Sequence, residues 1–390
     1  MNKGQYVFRQ LQSLISKYEF DKCVDRYQGN YRARDLRCWP QFLYMMFGQL
    51  TNREGIRDIV NCLSAHESKL YHLGITNLVS VSTLTRANER RDWRIWRDLG
   101  QHLIICARPL YVDDNDFLLD VEHTVYALDA STIDLCVSLF PWAKFRKQKS
   151  AVKLHTLMDV RGDIPVFIHI TDGKVHDVKV LDLLTYEADA FYVIDKGYYD
   201  FSRLYRIAQS EAFFVIRAKR NLQFQRIYSH PVDKSTGLRC DQTIRLTGLK
   251  SKADYPGRLR RIKFYDGSKP KTYVFLTNNF DIDALTIALL YKNRWRIELF
   301  FKWVKQHLKI KKFWGRSENA VRSQVWTAVC TYLLVAILKK QLNLKASPYE
   351  ILQILSVSLF DKTTVNQLLA KVDLQNKDEG GHNQLILFDL

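Results

Sequence analysis

The stretch Thr124–Leu135, TVYALDASTIDL, is rich in β-branched and aromatic residues and sets a carboxylate, Asp129, in the middle of an apolar run. Such residues pack well on a pleated, half-buried surface, so the stretch reads as a strand. Two more strand-like runs follow, Val152–Val160 and Ile164–Thr171, separated by the turn Arg161-Gly162-Asp163. A helix is expected next, with Asp177 as its N-cap and Val180, Leu181, Leu183 and Leu184 on its buried side. Phe191–Ile194 is a short apolar strand that ends on Asp195; a helix over 201–209 and a strand over Phe213–Arg217 complete the series. A meander that feeds crossover units predicts an α/β fold, a mixed sheet flanked by helices.

Toward the C-terminus the helical pattern lapses between about 219 and 283. Strand-like pieces appear there at Phe224–Tyr228, Thr243–Thr247, Leu259–Tyr265 and Thr272–Thr277, spaced by Pro, Gly, Ser and Lys. They predict a β-rich insertion before the last core helix, which Asp281 or Asp283 caps and which runs to about Leu308. The order of elements is that of a ribonuclease H-like core. Residues 1–110 read as an all-α domain. Phe8, Leu11, Leu14, Ile15 and Tyr18 recur at helical spacing, and Pro40 suits the first turn of a helix to Leu50. Asn52 is read as the cap of a helix through Cys62, and Ser82 of one through about Leu99. That last segment carries Arg86, Arg90, Arg91, Arg94 and Arg97 with Trp93 and Trp96. A short helix, a turn and a basic helix resemble a helix-turn-helix DNA reader, with Arg86 and Arg90 as candidate contacts. The domains expected are 1–110, 120–340 and, for short helices opened by Pro348 and near Val365 with a polar tail, 341–390.

Lys and Arg number 59 against 41 Asp and Glu in 390 residues, a formal net charge of +18. A surplus of that size suits a polyanion, because each neutralised phosphate releases counterions. Seven cysteines occur without a C-x-x-C pair or zinc spacing, which predicts reduced, mostly buried thiols in a cytoplasmic protein. MNKGQYVFRQLQ lacks the apolar core of a signal peptide, and the apolar run Thr327–Leu338 is too short to span a bilayer. No membrane partner is expected.

The chemistry is carried by Tyr291-Lys-Asn-Arg294-Trp-Arg-Ile-Glu298, continuing to Lys305. On one helix, Tyr291, Arg294, Glu298 and Lys305 fall on a single polar stripe. The rest of the helix is apolar and aromatic, so the stripe is expected to face a cavity, with Glu298 as a buried carboxylate in need of a partner. Asp129 and Asp195, on strands that can lie side by side, supply two further carboxylates. Three carboxylates without His or Cys favour hard cations, Mg2+ or Mn2+. Two such ions can serve an in-line phosphoryl displacement. Lys144, Arg146, Lys147 and Lys149 form a basic loop after the first strand, placed for phosphate contact. His155 and His176 are read as structural, and Trp39, Trp295 and Trp303 as packing residues.

The chain resembles bacterial insertion-sequence transposases of the DDE class, family four, whose signature is Y-x-x-R-x-x-x-E-x-x-x-x-x-x-K. Tyr291, Arg294, Glu298 and Lys305 match it without a gap, and YALDASTIDL and YVIDKGYYDF are similar to the first- and second-Asp motifs. ITDGKVHDVKVL between them also resembles the family. The resemblance implies metal ligation by Asp129, Asp195 and Glu298, and DNA contact by Tyr291, Arg294 and Lys305. It also implies cleavage and strand transfer on double-stranded DNA, at terminal inverted repeats and target, by a homodimer. Some members stack a flipped base on a Trp in the insertion. Residues 219–290 here hold no Trp, leaving Phe224, Tyr228, Phe264, Tyr265 or Phe275 for that task. Two other readings are a hydrolysis-only nuclease on the same core and a DNA-binding regulator without catalysis. Intact carboxylates weigh against the second.

Overall fold

The computed structural model describes residues 4–112, 123–146, 149–307 and 313–369. The chain divides into two compact units, Val112–Lys302 and a second made of Met1–Tyr111 with Trp303–Leu390. This departs from the expected boundary near 340, since residues from 303 onward cluster with the N-terminal helices.

In the helical unit the N-terminal elements are α1 (Val7–Gln12), α2 (Lys17–Arg26), α3 (Cys38–Leu50), α4 (Ile56–Ser64), α5 (Glu67–Leu70), α6 (Val81–Arg90) and α7 (Arg94–Ala107). The helical spacing from Phe8 to Tyr18 is divided between two helices, because Ser16 caps α2 by accepting from the Glu19 N–H, and Tyr18 is 69% exposed. Asn52 caps nothing: its backbone is left-handed (φ 57°), and Gly55 precedes α4. Ser80, not Ser82, caps α6, whose hydroxyl accepts from the Thr83 N–H, and the chain breaks at Arg91 before α7. Pro40 does sit in the first turn of α3.

The sheet unit holds β1 (Val125–Leu135), β2 (Lys144–Arg146), β3 (Lys149–Asp159), β4 (Ile164–Asp172), β5 (Phe191–Ile194), α8 (Phe201–Gln209), β6 (Phe213–Arg217), β7 (Phe224–His230), β8 (Leu238–Leu246), α9 (Leu249–Asp254), β9 (Arg258–Asp266), β10 (Lys271–Thr277) and α10 (Ala284–Lys292). α11 (Trp295–His307) follows, and the boundary between the units falls within it. The helical unit resumes with α12 (Glu318–Gln341) and α13 (Pro348–Ser358), the latter opened by Pro348 behind a capping box of Ser347 and Glu350. Residues 365–369 are helical; the polar tail from 370 lies outside the described residues.

α12 corrects the reading of Thr327–Leu338 as a short apolar run. The run lies in a 24-residue helix that is long and apolar enough to cross a membrane, yet 94% of its most apolar stretch is buried inside the protein. α12 packs on α7 and α3 at the core of the helical unit. Gly100 on α7 permits the approach: a Cβ there would stand 2.8 Å from the Trp326 ring.

One mixed sheet runs β2-β3-β1-β5-β6-β10-β9-β8-β7, with β4 along the other edge of β3. β1 pairs β3 antiparallel and β5 parallel, and β5 pairs β6 parallel, as a meander followed by crossovers requires. The β-rich insertion is present but not separate. β10 adds to β6 antiparallel, so β7–β10 extend the same sheet. Buried Tyr126, Tyr192, Leu204, Phe214, Leu259 and Leu276 form a continuous core beneath old and added strands alike. Where a helix was expected after β4, the chain makes a 3-10 segment, Asp177–Leu183, led by His176, and Leu183 is 53% exposed. The basic loop is partly strand: Lys144 and Arg146 lie in β2 and Lys149 opens β3, while Lys147 lies outside the described residues.

Candidate active site

Strand register brings Asp129 and Asp195 together. β1 and β5 run in parallel with Leu128 opposite Ile194, so the next residue of each strand is one of the two aspartates. Neighbouring strands lie about 4.8 Å apart, which sets the two carboxylates side by side where β5 ends. Asp195 ends that strand by accepting a hydrogen bond from the Gly197 N–H (3.4 Å) and capping the turn Lys196–Tyr198. Asp129 accepts from the Ala130 N–H (2.8 Å).

The third carboxylate arrives on a broken helix. Asp283 caps α10, as expected, but α10 stops at Lys292, and Asn293 and Arg294 make a tight turn before α11. Tyr291 at the end of α10 is held against Phe275 of β10, ring centroids 4.8 Å apart, and its hydroxyl donates to Asp195 Oδ1 (3.3 Å). Two residues into α11, Arg296 forks onto Asp163 (2.8 and 3.0 Å) in the β3–β4 turn. Bidentate pairs of this kind fix orientation as well as distance. Between these two anchors Arg294 reaches both remaining carboxylates, donating to Asp129 Oδ2 (2.5 Å) and to Glu298 Oε1 (2.6 Å).

Arg294 is therefore the counter-ion of Asp129 and Glu298 in this conformation. Burial works against its charge, but Asp129, Tyr291 and Glu298 outweigh burial and raise its pKa. Burial pushes the Asp129 carboxyl up to about 6; Arg294 and the Ala130 N–H oppose the shift, and Asp195 and Glu298 add to it. Among the described residues no three carboxylate, imidazole or thiol groups stand close enough to hold a metal ion. The expected convergence of three carboxylates is realised as two joined through a guanidinium, with Asp195 tied to Tyr291.

Several details depart from the sequence reading. Glu298 is not buried: its side chain is 57% exposed. Trp295 and Leu299 are 49% and 46% exposed, so α11 is not apolar all round at this end and Trp295 is no packing residue. Lys305 lies two turns beyond Glu298 on α11 and is half-buried. Lys144 is exposed on β2. Arg86 and Arg90 are exposed on α6, in the helical unit. His155 is fully buried, bonded to Thr171 (2.9 Å) and pushed down to about 4 by burial, which fits its structural role.

The sequence reading missed Tyr198. It is 1% exposed, its hydroxyl has no hydrogen-bond partner among the described residues, and burial first, then Asp177, Asp129 and Asp195, raise its pKa. Lys153 anchors Asp177 nearby (3.0 Å). The only signal for Tyr198 was its place three residues after Asp195. On the open side, a cavity of about 470 Å³ is lined by Arg294, Glu298, Tyr291, Trp295, Arg217, Phe264 and Phe275, among others. Of the aromatics considered for base stacking, Phe264 and Phe275 line it, and Phe224, Tyr228 and Tyr265 do not.

A family model described as the transposase DDE domain matches residues 121–334, more than half of the chain and all of the strands and turns just assembled. The chain belongs to the DDE transposase family. A second model, a domain of unknown function (DUF4372), matches residues 3–76 of the helical unit. The chain is 37% identical over 215 residues to a Sinorhizobium fredii protein named as a putative transposase, y4zB, covering 54% of this chain and 59% of that one. It is 30% identical over 226 residues to a Geobacillus stearothermophilus protein named for insertion sequence element IS5377, covering 56% and 59%. The chain thus spans 59% of the length of each of these two relatives. A Synechocystis protein named for insertion sequence element IS4SA is 25% identical, covering 67% of this chain and 72% of that one. A cryo-EM structure of a piggyBac transposase synaptic complex with hairpin DNA aligns over 97% of this chain and 86% of that one, at 9% identity and a TM-score of 0.46. That likeness is too slight to carry an argument.

Proposed function

We propose that the chain is a DNA transposase that binds the terminal inverted repeats of an insertion sequence and cuts and joins DNA strands on a ribonuclease H-like core. The observation that carries this reading is the parallel register that sets Asp129 beside Asp195, with Arg294 and Glu298 delivered to Asp129 by the α10–α11 turn. Asp129, Asp195 and Glu298 would hold Mg2+ or Mn2+. All three offer oxygen donors, the choice of hard cations, and two of them already share one cationic group. Bound there, two divalent ions would supply charge stabilisation at the attacking and leaving oxygens of an in-line displacement.

The chain's own groups have distinct tasks. Asp129 must be ionised to act as a ligand, and its raised pKa makes that condition pH-dependent. Arg294 exchanges its two carboxylates for phosphate oxygens of the DNA, to which a guanidinium forks equally well. Tyr291 orients Asp195 through its hydroxyl. Lys305, Lys144, Arg146 and Lys147 hold flanking phosphates. In the first displacement a water oxygen loses a proton and bonds phosphorus as the 3′ oxygen leaves and is protonated; in the second that 3′-hydroxyl loses its proton and bonds a phosphorus of the target as the target's own 3′ oxygen leaves and takes up a proton. A homodimer acting in the cytoplasm on the nucleoid would bring both transposon ends together.

The test is a strand-transfer assay with purified protein, Mg2+, a labelled DNA end and a circular target. Joined product is expected. Hydrolysis without joining favours a nuclease, and binding without cutting favours a regulator.

A further inference from the structure

In the helical unit, the loop between α2 and α3 faces α6 across an open groove of about 590 Å³. One wall is helical: Thr83, Arg86 and Arg90 stand on successive turns of one face of α6. The other wall is the loop, with Tyr31, Arg32 and Arg34, all exposed. Arg32 holds a left-handed backbone (φ 54°), a conformation that a non-glycine residue adopts only where its surroundings impose it.

Charge pairing separates these arginines from their neighbours. Arg94 is paired with Asp92 (2.6 Å), and Arg97 and Arg26 with Asp98. Among the described residues, no carboxylate lies within 4.0 Å of Arg32, Arg34, Arg86 or Arg90. The acids of the groove itself are Asp35 and Asp92, and Asp92 is occupied by Arg94. Four unneutralised guanidiniums facing one another across a groove repel, and a polyanion laid between them removes that repulsion.

We propose that this groove binds the sugar-phosphate backbone of duplex DNA, Arg32 and Arg34 gripping it from the loop and Arg86 and Arg90 from α6. The choice of DNA as the polyanion rests on the function proposed above. Contacts of this kind position a duplex without reading its sequence, so the groove supplies affinity and register. It also gives a role to the domain of unknown function, whose match includes the loop wall.

The experiment uses the full chain and a fluorescein-labelled duplex of mixed sequence, with binding followed by anisotropy across a range of NaCl. Each phosphate contact contributes about 0.9 to the slope of log affinity against log salt, so Arg32→Ala/Arg34→Ala/Arg86→Ala/Arg90→Ala should flatten it by about 3 to 4. Lysines at the same four positions should retain most of the slope. If the quadruple alanine variant fails to fold, each pair on one wall should lower the slope by about 2. A slope equal to wild type in the folded variants overturns the proposal. Loss of binding to phosphatidylserine vesicles with DNA binding unchanged also overturns it. If the wild type cuts DNA while the alanine variants bind unchanged, the groove alone fails; if the wild type neither binds nor cuts DNA, the proposed function falls with it.

Discussion

Replacing Arg294 by Gln removes the cation that joins Asp129 to Glu298. The two halves of that link differ in worth. Glu298 is 57% exposed, and an exposed i,i+4 pair contributes only about 0.3–0.5 kcal/mol. Asp129 and Arg294 are 20% and 16% exposed, and removing one partner of a largely desolvated pair costs about 3–5 kcal/mol. Some water reaches Asp129, so a loss of roughly 2–4 kcal/mol at pH 7.5 is expected for the sheet unit. For a unit of this size that lowers Tm by roughly 5–15 °C. The loss must depend on pH. The folded pKa of Asp129 lies above its unfolded value, at about 6 against 3.8, so its contribution to stability is greatest below 3.8 and is lost as pH rises through 6. Without Arg294 the folded pKa climbs further, and the deficit of the variant widens between pH 5 and pH 8. Thermal melts of both proteins in EDTA at pH 5 and pH 7.5 measure it. An equal deficit at the two pH values, or none, would show that Arg294 does not hold the Asp129 carboxylate ionised.

Mn2+ affinity, followed by electron paramagnetic resonance, should tighten as pH rises through about 6, because Asp129 must lose its proton to ligate; a flat profile from pH 5 to 8 would remove Asp129 from the ligand set. In the β7–β10 extension, Arg260 and Asp241 are 8% and 5% exposed and paired at 2.8 Å. Arg260→Leu should cost about 3–5 kcal/mol in urea unfolding by stranding the carboxylate. Gly100→Leu drives a side chain into Trp326 and should destabilise the helical unit by at least about 1–3 kcal/mol, so an unchanged melt would show that α7 and α12 pack otherwise. Lys305→Ala should lower the salt slope of DNA binding by about 1, and no change would deny it a phosphate contact.

Local pattern was enough to place β1, β3, β4, β5, α8 and β6 because each carries a buried apolar run or face, and Asp129 stood out as a charge within β1. The four strands after β6 were legible as a β-rich insertion before the last core helix, but their continuation of the main sheet was not. Which strand β10 pairs with depends on long-range hydrogen bonds to Val215–Arg217, which no local pattern encodes. The Tyr291–Lys305 segment was legible in its residues but not in its shape. Helical spacing gives no sign of the turn at Asn293–Arg294, and that turn aims the guanidinium at Asp129. Exposure was misjudged for the same reason: Glu298 and Trp295 face the cavity of about 470 Å³, a feature that several distant segments build together. Tyr198 stayed hidden because its significance lies in an unpartnered hydroxyl, which only packing reveals. Helix caps went astray where serines crowd, since Ser80 and Ser82 are equivalent by composition and only one has the extended backbone ahead of α6.

The proposed function requires Asp129, Asp195 and Glu298 together for metal-dependent strand cleavage. Nicking of a supercoiled plasmid carrying matched inverted ends, with Mg2+, by Asp129→Asn, Asp195→Asn and Glu298→Gln tests it most directly. Each variant should bind the ends as the wild type does and leave the plasmid uncut. Cutting at the wild-type rate by any one of the three would contradict the claim.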